Sequence, residues 1–393
     1  MAFMQGVQMF FFDRAFRSFF IGGSLFSVMA MLVWFGQYPV ASKQFSTLLP
    51  MMWHAHEMVF GYALATVTGF LLTAVMNWTR LESASGYRLA LIFGFWLVAR
   101  LGYLLDAPIV WVAFFDMAFN LGLLLHFAIP VVQKELWAQS GLSAKFLLLM
   151  VANGLFYANA LGWTAFSQLN AILFGLFLVL AINLTMMRRL VPFFTEKALG
   201  LREQQQYKWL DLFALVGFLV LMVVVIFWPM HWIVTLVGLL LFIVHFIRLW
   251  RWYRPGIWKV TLLWPLFVSY GFMTLGMLMF AAVPVGWISL SIAIHALAAG
   301  GIGLLCSAIM ARISLGHTNR NVFNPPKGLI WVFVSLAVSA IFRVIFPVVF
   351  PHQTVLWVHI SQLGWALGFL WLSVLYLPIL TRPSPPKETG ILL

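Results

Sequence analysis

Hydrophobic residues along this chain come in long continuous runs separated by short polar segments. An α-helix of about 20 apolar residues is long enough to cross a hydrocarbon core about 30 Å thick. Twelve such runs can be read, at approximately 17–36, 53–77, 86–105, 108–132, 143–163, 165–188, 208–228, 230–251, 259–282, 286–311, 328–350 and 353–380. The runs are continuous rather than alternating, which indicates helices and excludes a membrane β-barrel. The pattern therefore predicts an all-α polytopic membrane protein with about twelve transmembrane helices.

The composition agrees with a lipid bilayer as the solvent. Hydrophobic residues make up 63% of the 393 residues and charged residues only 8%, whereas soluble domains are about half apolar and about a quarter charged. We expect a single integral membrane domain over residues 1–393. The first six helices are predicted within 17–188 and the last six within 208–380, and the longest cytoplasmic loop, over about 189–207, separates the two groups.

The cationic residues predict the orientation in the membrane. The chain has 23 Lys and Arg against 10 Asp and Glu, a net charge of +13. Such an excess can indicate nucleic acid as a partner, but cationic loops are also how membrane proteins fix their orientation. Lys43 lies in a loop on one side, Arg100 and Arg343 lie within runs, and the other Lys and Arg residues fall on the opposite side. We therefore expect both termini to be cytoplasmic, with the bilayer and not nucleic acid as the partner.

The single cysteine excludes several kinds of site. Cys306 stands alone, so the chain has no intrachain disulfide, zinc ribbon or C-x-x-C-H haem attachment. Any haem would be held non-covalently, through histidine or methionine.

Ionisable residues within the runs are the main functional signal, because they are rare in membranes and usually face a partner, a cofactor or the bundle interior. Most of them fall in the predicted outer half: His54, His56, Glu57, Arg100, Asp116, His295, Arg343 and His359. The alternative is that they only pair with one another or extend to the interface. His231, His245 and His352 lie near charged or aqueous ends of the runs, and we expect them to be structural.

The stretch WHAHEMVFGY has two histidines and a glutamate at the start of the second run. At about 100° per residue, His54 and His56 point about 200° apart on a helix, whereas His54 and Glu57 share a face. Either the start of the helix is unwound so that both imidazoles converge, or each histidine serves a different site. Imidazole suits iron, copper and zinc, and Glu57 could be a ligand, a partner of a ligand or a proton carrier.

Two further features suggest a cofactor, and each has a simpler alternative. His295 is followed by ALAAGGIG, a run of small residues that admits either a flat macrocycle or a closely packed helix. Arg100 and Arg343 could meet haem propionates, because a guanidinium matches a carboxylate in geometry. Pairing with Asp116 is the alternative for the arginines.

Three blocks of this sequence resemble the NnrS family of bacterial inner-membrane proteins: WHAHEMVFGYALATVTGFLLTAVMNWT, HALAAGGIGLLCSAIMARISLGHTNR and RRLVPFFTEKA. The resemblance implies a twelve-helix protein that contains haem b and copper and is associated with nitric oxide and nitrosative stress. The positions marked in the family that this sequence keeps are His54, His56, Glu57, His295, His317 and Arg320. His317 lies on the predicted cytoplasmic side, so we interpret LGHTNR as structural or regulatory.

The first hypothesis is a haem- and copper-binding membrane protein that handles nitric oxide; if it is an enzyme, it is an oxidoreductase acting on nitric oxide. We predict that His56, with His295 or His359, binds haem, and that Arg100 and Arg343 assist. The candidate metal ligands are His54, His56, His295 and His359. Glu57 is the candidate catalytic residue, as a proton carrier.

Other functions fit parts of the pattern. A proton-coupled or metal secondary transporter would use the buried charges to bind its substrate, and a metal carrier or sensor would use the same histidines without catalysis. A haem-copper oxidase is disfavoured because the chain has no His-His dipeptide. The sequence identifies no electron donor.

Overall fold

The computed structural model describes residues 10–40, 43, 45–201 and 207–386. Within them, twelve helices are long and apolar enough to span a membrane: α1 Ala15–Gln37, α2 Pro50–Thr79, α3 Gly86–Leu104, α4 Ile109–Gln133, α5 Trp137–Ala160, α6 Gln168–Leu199, α7 Lys208–Phe227, α8 Trp232–Trp252, α9 Trp264–Ala282, α10 Leu290–Gly316, α11 Leu329–Val349 and α12 Pro351–Thr381. The predicted fold class of about twelve transmembrane helices is confirmed. Of the cations on the predicted inner side, Arg202 and Lys387 lie outside the described residues.

Helix α6 differs most from the prediction. It continues through Arg188 and Arg189 to Leu199, so the predicted loop over 189–207 is wrong in its first half. Hydropathy alone ends the helix at the two arginines, but a helix can leave the hydrocarbon and continue with charged side chains in water. Gly200 follows the helix with φ +64°, the left-handed conformation that glycine adopts at low cost after a helix end.

Proline and polar side chains set several helix starts. Pro50 and Pro265 lie at the first or second position of their helices, where the missing N–H is tolerated and the fixed φ suits a helix. Ser289 caps α10, since its side chain accepts a hydrogen bond from Ile292 N. The His231 side chain caps α8 in the same way by accepting from Ile233 N, which agrees with the structural interpretation of this histidine.

Two helices contain a π-helical segment. Glu57–Ala63 in α2 and Ala296–Gly303 in α10 are π-helical, between α-helical stretches. Each segment begins at the residue directly after a motif histidine, His56 in one case and His295 in the other. π-Helical turns are rare in proteins and frequent at functional sites. Their position therefore supports His56 and His295 as candidate site residues.

The chain folds into two compact units. The first comprises the described residues of Met1–Val179, Ile313–Arg320 and Ser373–Leu393, and the second comprises those of Leu180–Arg312 and Asn321–Leu372. In the first unit α1 packs against α2, α3 against α4, and α4 against α2 and α5. In the second, α9 packs against α8 and the π-helical segment of α10, and α11 packs against that same segment. The predicted grouping into 17–188 and 208–380 stays a prediction.

A buried arginine joins the two ends of the chain within the first unit. Arg17 is 3% exposed and donates hydrogen bonds to Leu380 O at 3.0 Å, to Arg382 O at 2.9 Å and to Ser384 Oγ at 3.0 Å. The last carbonyl groups of a helix have no partner within the helix, and a guanidinium offers five N–H donors. Arg17 therefore supplies hydrogen-bond donors to carbonyl groups at the C-terminal end of α12.

Candidate functional site

Four neighbouring helices of the first unit bury a group of polar side chains that we name the ionic cluster. Its members are at most 2% exposed: His56 and Glu57 from α2, Arg100 from α3, Asp116 from α4, and Asn153 and Tyr157 from α5. Burial of isolated charges costs several kcal/mol, by order of magnitude, so buried charges must be paired. The cluster meets this requirement.

Arg100 connects the two carboxylates of the cluster. Its Nε lies 3.0 Å from Glu57 Oε2, and one of its terminal nitrogens lies 2.7 Å from Asp116 Oδ1. The sequence offered pairing of Arg100 with Asp116 as the alternative to a haem propionate, and the pair is present. One guanidinium and two carboxylates leave an excess negative charge, which a further proton must balance.

The hydrogen bonds place that proton between His56 and Glu57. Asn153 Nδ2 donates to Asp116 Oδ2 at 2.9 Å; because an ionised carboxylate only accepts, the amide oxygen of Asn153 must face His56. His56 Nε2 lies 2.8 Å from that oxygen, and His56 Nδ1 lies 2.9 Å from Glu57 Oε1. His56 Nε2 therefore donates to Asn153, and the balancing proton lies in the hydrogen bond between His56 Nδ1 and Glu57 Oε1.

This arrangement bears on the predicted roles of His56 and Glu57. With Nε2 bonded to Asn153 and Nδ1 bonded to Glu57, both ring nitrogens of His56 are engaged by protein groups rather than by a metal, and its ring is stacked on Phe156 at 4.3 Å. His56 and Glu57 are both fully buried, and this hydrogen bond lies inside the bundle. Metal ligation by His56 and catalysis by Glu57 stay predictions.

His54 has different surroundings from His56. Its ring is stacked on Trp34 of α1, with 4.7 Å between centroids and 8° between planes, whereas His56 faces α5. This is the divergence that the spacing of the two histidines predicted for a helix. The first unit therefore does not join them in one chelate.

The π-helical segment of α2 is held by two side chains of α3. Trp96 Nε1 donates to Gly61 O at 2.9 Å. A Cβ on Gly61 would lie 3.2 Å from Arg100 Nη1 and 2.6 Å from the ring of Phe26. Glycine at this position lets α1 and α3 approach α2 closely, and this approach brings Arg100 to Glu57.

In the second unit, His295 pairs with two polar side chains. Its Nδ1 lies 2.7 Å from Ser291 O and 3.0 Å from a terminal nitrogen of Arg343, which also donates to Ser291 Oγ at 2.9 Å. One nitrogen cannot donate to the carbonyl and accept from the guanidinium at once. The shorter distance favours donation to Ser291 O, which leaves the lone pair of His295 on Nε2.

His359 has a comparable hydrogen bond on a different helix. Its Nδ1 lies 3.0 Å from Gln362 Oε1, and donation to this oxygen also leaves the lone pair on Nε2. Metal-binding histidines in proteins almost always donate their other N–H in this way. The hydrogen bonds of His295 and His359 thus suit a metal ligand, in contrast to those of His56.

Neighbouring side chains fill the space beside the small residues that follow His295. A Cβ on Gly300 would lie 2.3 Å from Phe272 of α9, and a Cβ on Gly303 would lie 2.4 Å from Trp365 of α12. Of the two interpretations of this run, close packing rather than a flat macrocycle accounts for these positions.

The described residues include no group of three or more His, Cys, Asp or Glu side chains placed to hold one metal ion. Within the part of the chain that the structure describes, no copper site with three such ligands is therefore formed. Haem needs only one or two axial imidazoles, and His295 and His359 fit that requirement.

Sequence reasoning missed the neutral members of the ionic cluster and their support. Tyr157 donates to Asp116 Oδ2 at 2.9 Å and receives a hydrogen bond from Tyr103 at 3.0 Å. Asn153 bridges His56 and Asp116. An asparagine in an apolar run is itself a signal of a polar partner, so the same search extended to amides would have included Asn153.

The LGHTNR block lies in the first unit. His317 packs its ring against Phe16 at 5.6 Å. Although part of the residue is exposed, burial of the ring and the nearby charge of Arg14 lower the pKa of His317 below its usual range. Thr318 Oγ1 donates to Ser314 O at 2.6 Å, so the block closes the end of α10.

Comparison with known proteins concerns almost the whole chain. Residues 10–384 match the family described as NnrS protein. No curated protein matches the chain. The family match includes all twelve helices and both histidine blocks that carried the resemblance. The chain belongs to the NnrS family, as a multi-pass membrane protein.

Proposed function

We propose that this protein binds haem b and copper in the bacterial inner membrane and acts in nitric oxide metabolism or in defence against nitrosative stress. Membership of the NnrS family supports the proposal, since this chain keeps the histidine blocks on which the resemblance rests. If the protein is an enzyme, it is an oxidoreductase acting on nitric oxide. His295 or His359 would hold the haem, which when bound would supply the iron that binds nitric oxide.

The observation that carries the haem proposal is the hydrogen bonding of His295. Donation from Nδ1 to Ser291 O leaves Nε2 to hold an iron ion, and the ring is only half-buried. Arg343, beside this ring, is placed to meet a propionate carboxylate. His359, with its own Nδ1 bonded to Gln362, is the second candidate for an axial ligand.

The proposal that the protein binds copper rests on the family resemblance alone. The described residues form no group of three ligands, so we derive no step through copper. His54, the first residue of the HAHE block, lies outside the ionic cluster and is the candidate copper ligand, with its ring on Trp34. Copper content therefore needs its own measurement.

The role that we propose for the ionic cluster is to hold a proton inside the membrane. His56 carries it between Glu57 and Asn153, and Arg100 balances the two carboxylates. Glu57 Oε1 accepts this proton from His56 Nδ1 when the proton moves along their hydrogen bond. A chain of hydrogen-bonded side chains is suited to such a transfer.

His295→Ala is expected to lose most of the haem, because the alanine side chain has no nitrogen that can ligate the iron. The measurement is the absorption spectrum and the haem-to-protein ratio of the purified protein, with copper measured on the same sample. His231→Ala is the matched control, since this histidine caps α8, and we expect it to keep its haem. Wild-type protein without a Soret band would overturn the proposal.

A proton-coupled or metal secondary transporter is the second candidate, and the ionic cluster favours it. Buried charges at the interface of helices are how transporters bind ions and substrates. Uptake into proteoliposomes by protein that contains neither haem nor copper would establish this function in place of the first. Loss of that uptake in Glu57→Gln would assign it to the cluster.

A further inference from the structure

The second unit contains a small cavity that the proposed function does not use. It has a volume of about 70 Å³, and its polar lining residues include Arg188 of α6, Asp211 of α7, and His245 and Arg248 of α8. On the same measure, one water molecule needs roughly 10–15 Å³. The cavity therefore has room for a molecule of a few heavy atoms.

A row of hydrogen bonds sets the tautomer of His245. Arg248 donates to the Tyr270 hydroxyl at 3.2 Å, and this hydroxyl lies 2.6 Å from His245 Nδ1. The Tyr270 hydroxyl accepts from Arg248 and has one hydrogen of its own, which we infer that it donates to His245 Nδ1. His245 Nε2 then carries a hydrogen and is a donor.

That donor has no partner among the described residues. His245 is 1% exposed, and its Nε2 is a buried nitrogen without a hydrogen bond in the described part of the chain. His245 itself lines the cavity, and Tyr270, its partner at Nδ1, does not. A buried N–H without an acceptor is unfavourable, and a ligand with an acceptor atom would satisfy it.

The charges around the cavity do not cancel. Asp211 forms ion pairs with both arginines. Its Oδ2 lies 3.1 Å from Arg188 Nη1, and its Oδ1 lies 2.8 Å from Arg248 Nη2. Two guanidinium groups against one carboxylate leave one positive charge at the edge of a low-dielectric bundle. The side chain of Arg188 is 36% exposed, so this cation of the cavity lining is partly open to its surroundings.

We propose that this cavity binds one small monovalent anion, a halide or a planar oxyanion of three or four heavy atoms. The anion accepts a hydrogen bond from His245 Nε2 and balances the excess charge of Arg188 and Arg248. By the predicted topology the site faces the cytoplasm. It is independent of haem and copper, and it gives a role to a histidine that the sequence indicated as structural.

Anion binding is tested on the purified full-length protein in a gluconate buffer, with chloride, bromide and formate as probes and sulfate as the larger divalent comparison. We expect saturable broadening of the chloride NMR signal, which bromide and formate displace and sulfate does not. The apparent melting temperature is expected to rise with the same half-saturation. No saturable broadening, or equal effects of all salts, would overturn the proposal without any variant.

A pair of neighbouring arginines supplies the matched control. Arg188→Gln removes the excess charge at the cavity, and we expect it to raise the half-saturating concentration at least about tenfold. Arg189→Gln makes the same change of charge at a residue that does not line the cavity, and we expect it to bind as the wild type does. Equal weakening in both variants would show a general charge effect and contradict a site.

Discussion

Replacing Arg100 with methionine is expected to lower the free energy of unfolding by about 3–5 kcal/mol, the cost of leaving buried charges without their partner. The substitution leaves Glu57 and Asp116 without the guanidinium that lies 3.0 and 2.7 Å from them. Methionine fills a volume similar to that of arginine, so the loss of stability measures the effect of the missing charge rather than that of a cavity. The measurement is denaturant or thermal unfolding of the detergent-purified protein.

Arg88→Met is the control for this prediction, because Arg88 lies on the same helix and is exposed. We expect it to change stability by less than about 0.5 kcal/mol. Adding Asp116→Asn to Arg100→Met is expected to restore part of the loss, since one unpaired carboxylate is removed. Equal effects of Arg100→Met and Arg88→Met would show that the ionic cluster does not hold the first unit together.

Gly303→Val is expected to destabilise the protein by about 1–3 kcal/mol through overpacking. The new Cβ would lie 2.4 Å from Cζ3 of Trp365, and an indole ring packed between helices cannot move aside freely. Unfolding measurements on the variant and on the double variant Gly303→Val, Trp365→Leu test the contact, because the smaller leucine is expected to restore stability.

The same pair of variants distinguishes packing from a haem slot at the small-residue run. Gly94→Val is the control, since a Cβ on Gly94 meets nothing within 4 Å, and we expect a smaller loss there. If the run instead accommodated a macrocycle, Gly303→Val would lose haem at unchanged stability, and Trp365→Leu would not compensate. We expect the haem content per folded molecule to stay the same.

Hydropathy was sufficient to predict the twelve helices, because a run of apolar residues has one stable arrangement in lipid. It was insufficient at the end of α6, where Arg188 and Arg189 lie within the helix and not after it. The π-helical segments could not be predicted either. A change of backbone hydrogen bonding after His56 and His295 leaves no mark in the order of apolar and polar residues.

The sequence was sufficient to predict which charged residues belong to the candidate site, but not which residues they contact. Helical spacing alone indicated that His54 and His56 face different ways, and rarity in the membrane indicated Arg100 and Asp116. That His56 meets Asn153, from a helix distant in the sequence, depends on which helices are neighbours. The meeting of α2 with α5 decides which group His56 Nε2 bonds, and no local pattern contains this information.

The most direct test of the proposed function is the absorption spectrum of the reduced, purified protein before and after addition of nitric oxide. We expect a Soret band with about one haem per chain, a shift of that band on addition of nitric oxide, and loss of both in His295→Ala. A wild-type protein, purified from haem-sufficient cells, whose spectrum lacks the band or does not respond to nitric oxide would contradict the proposed function.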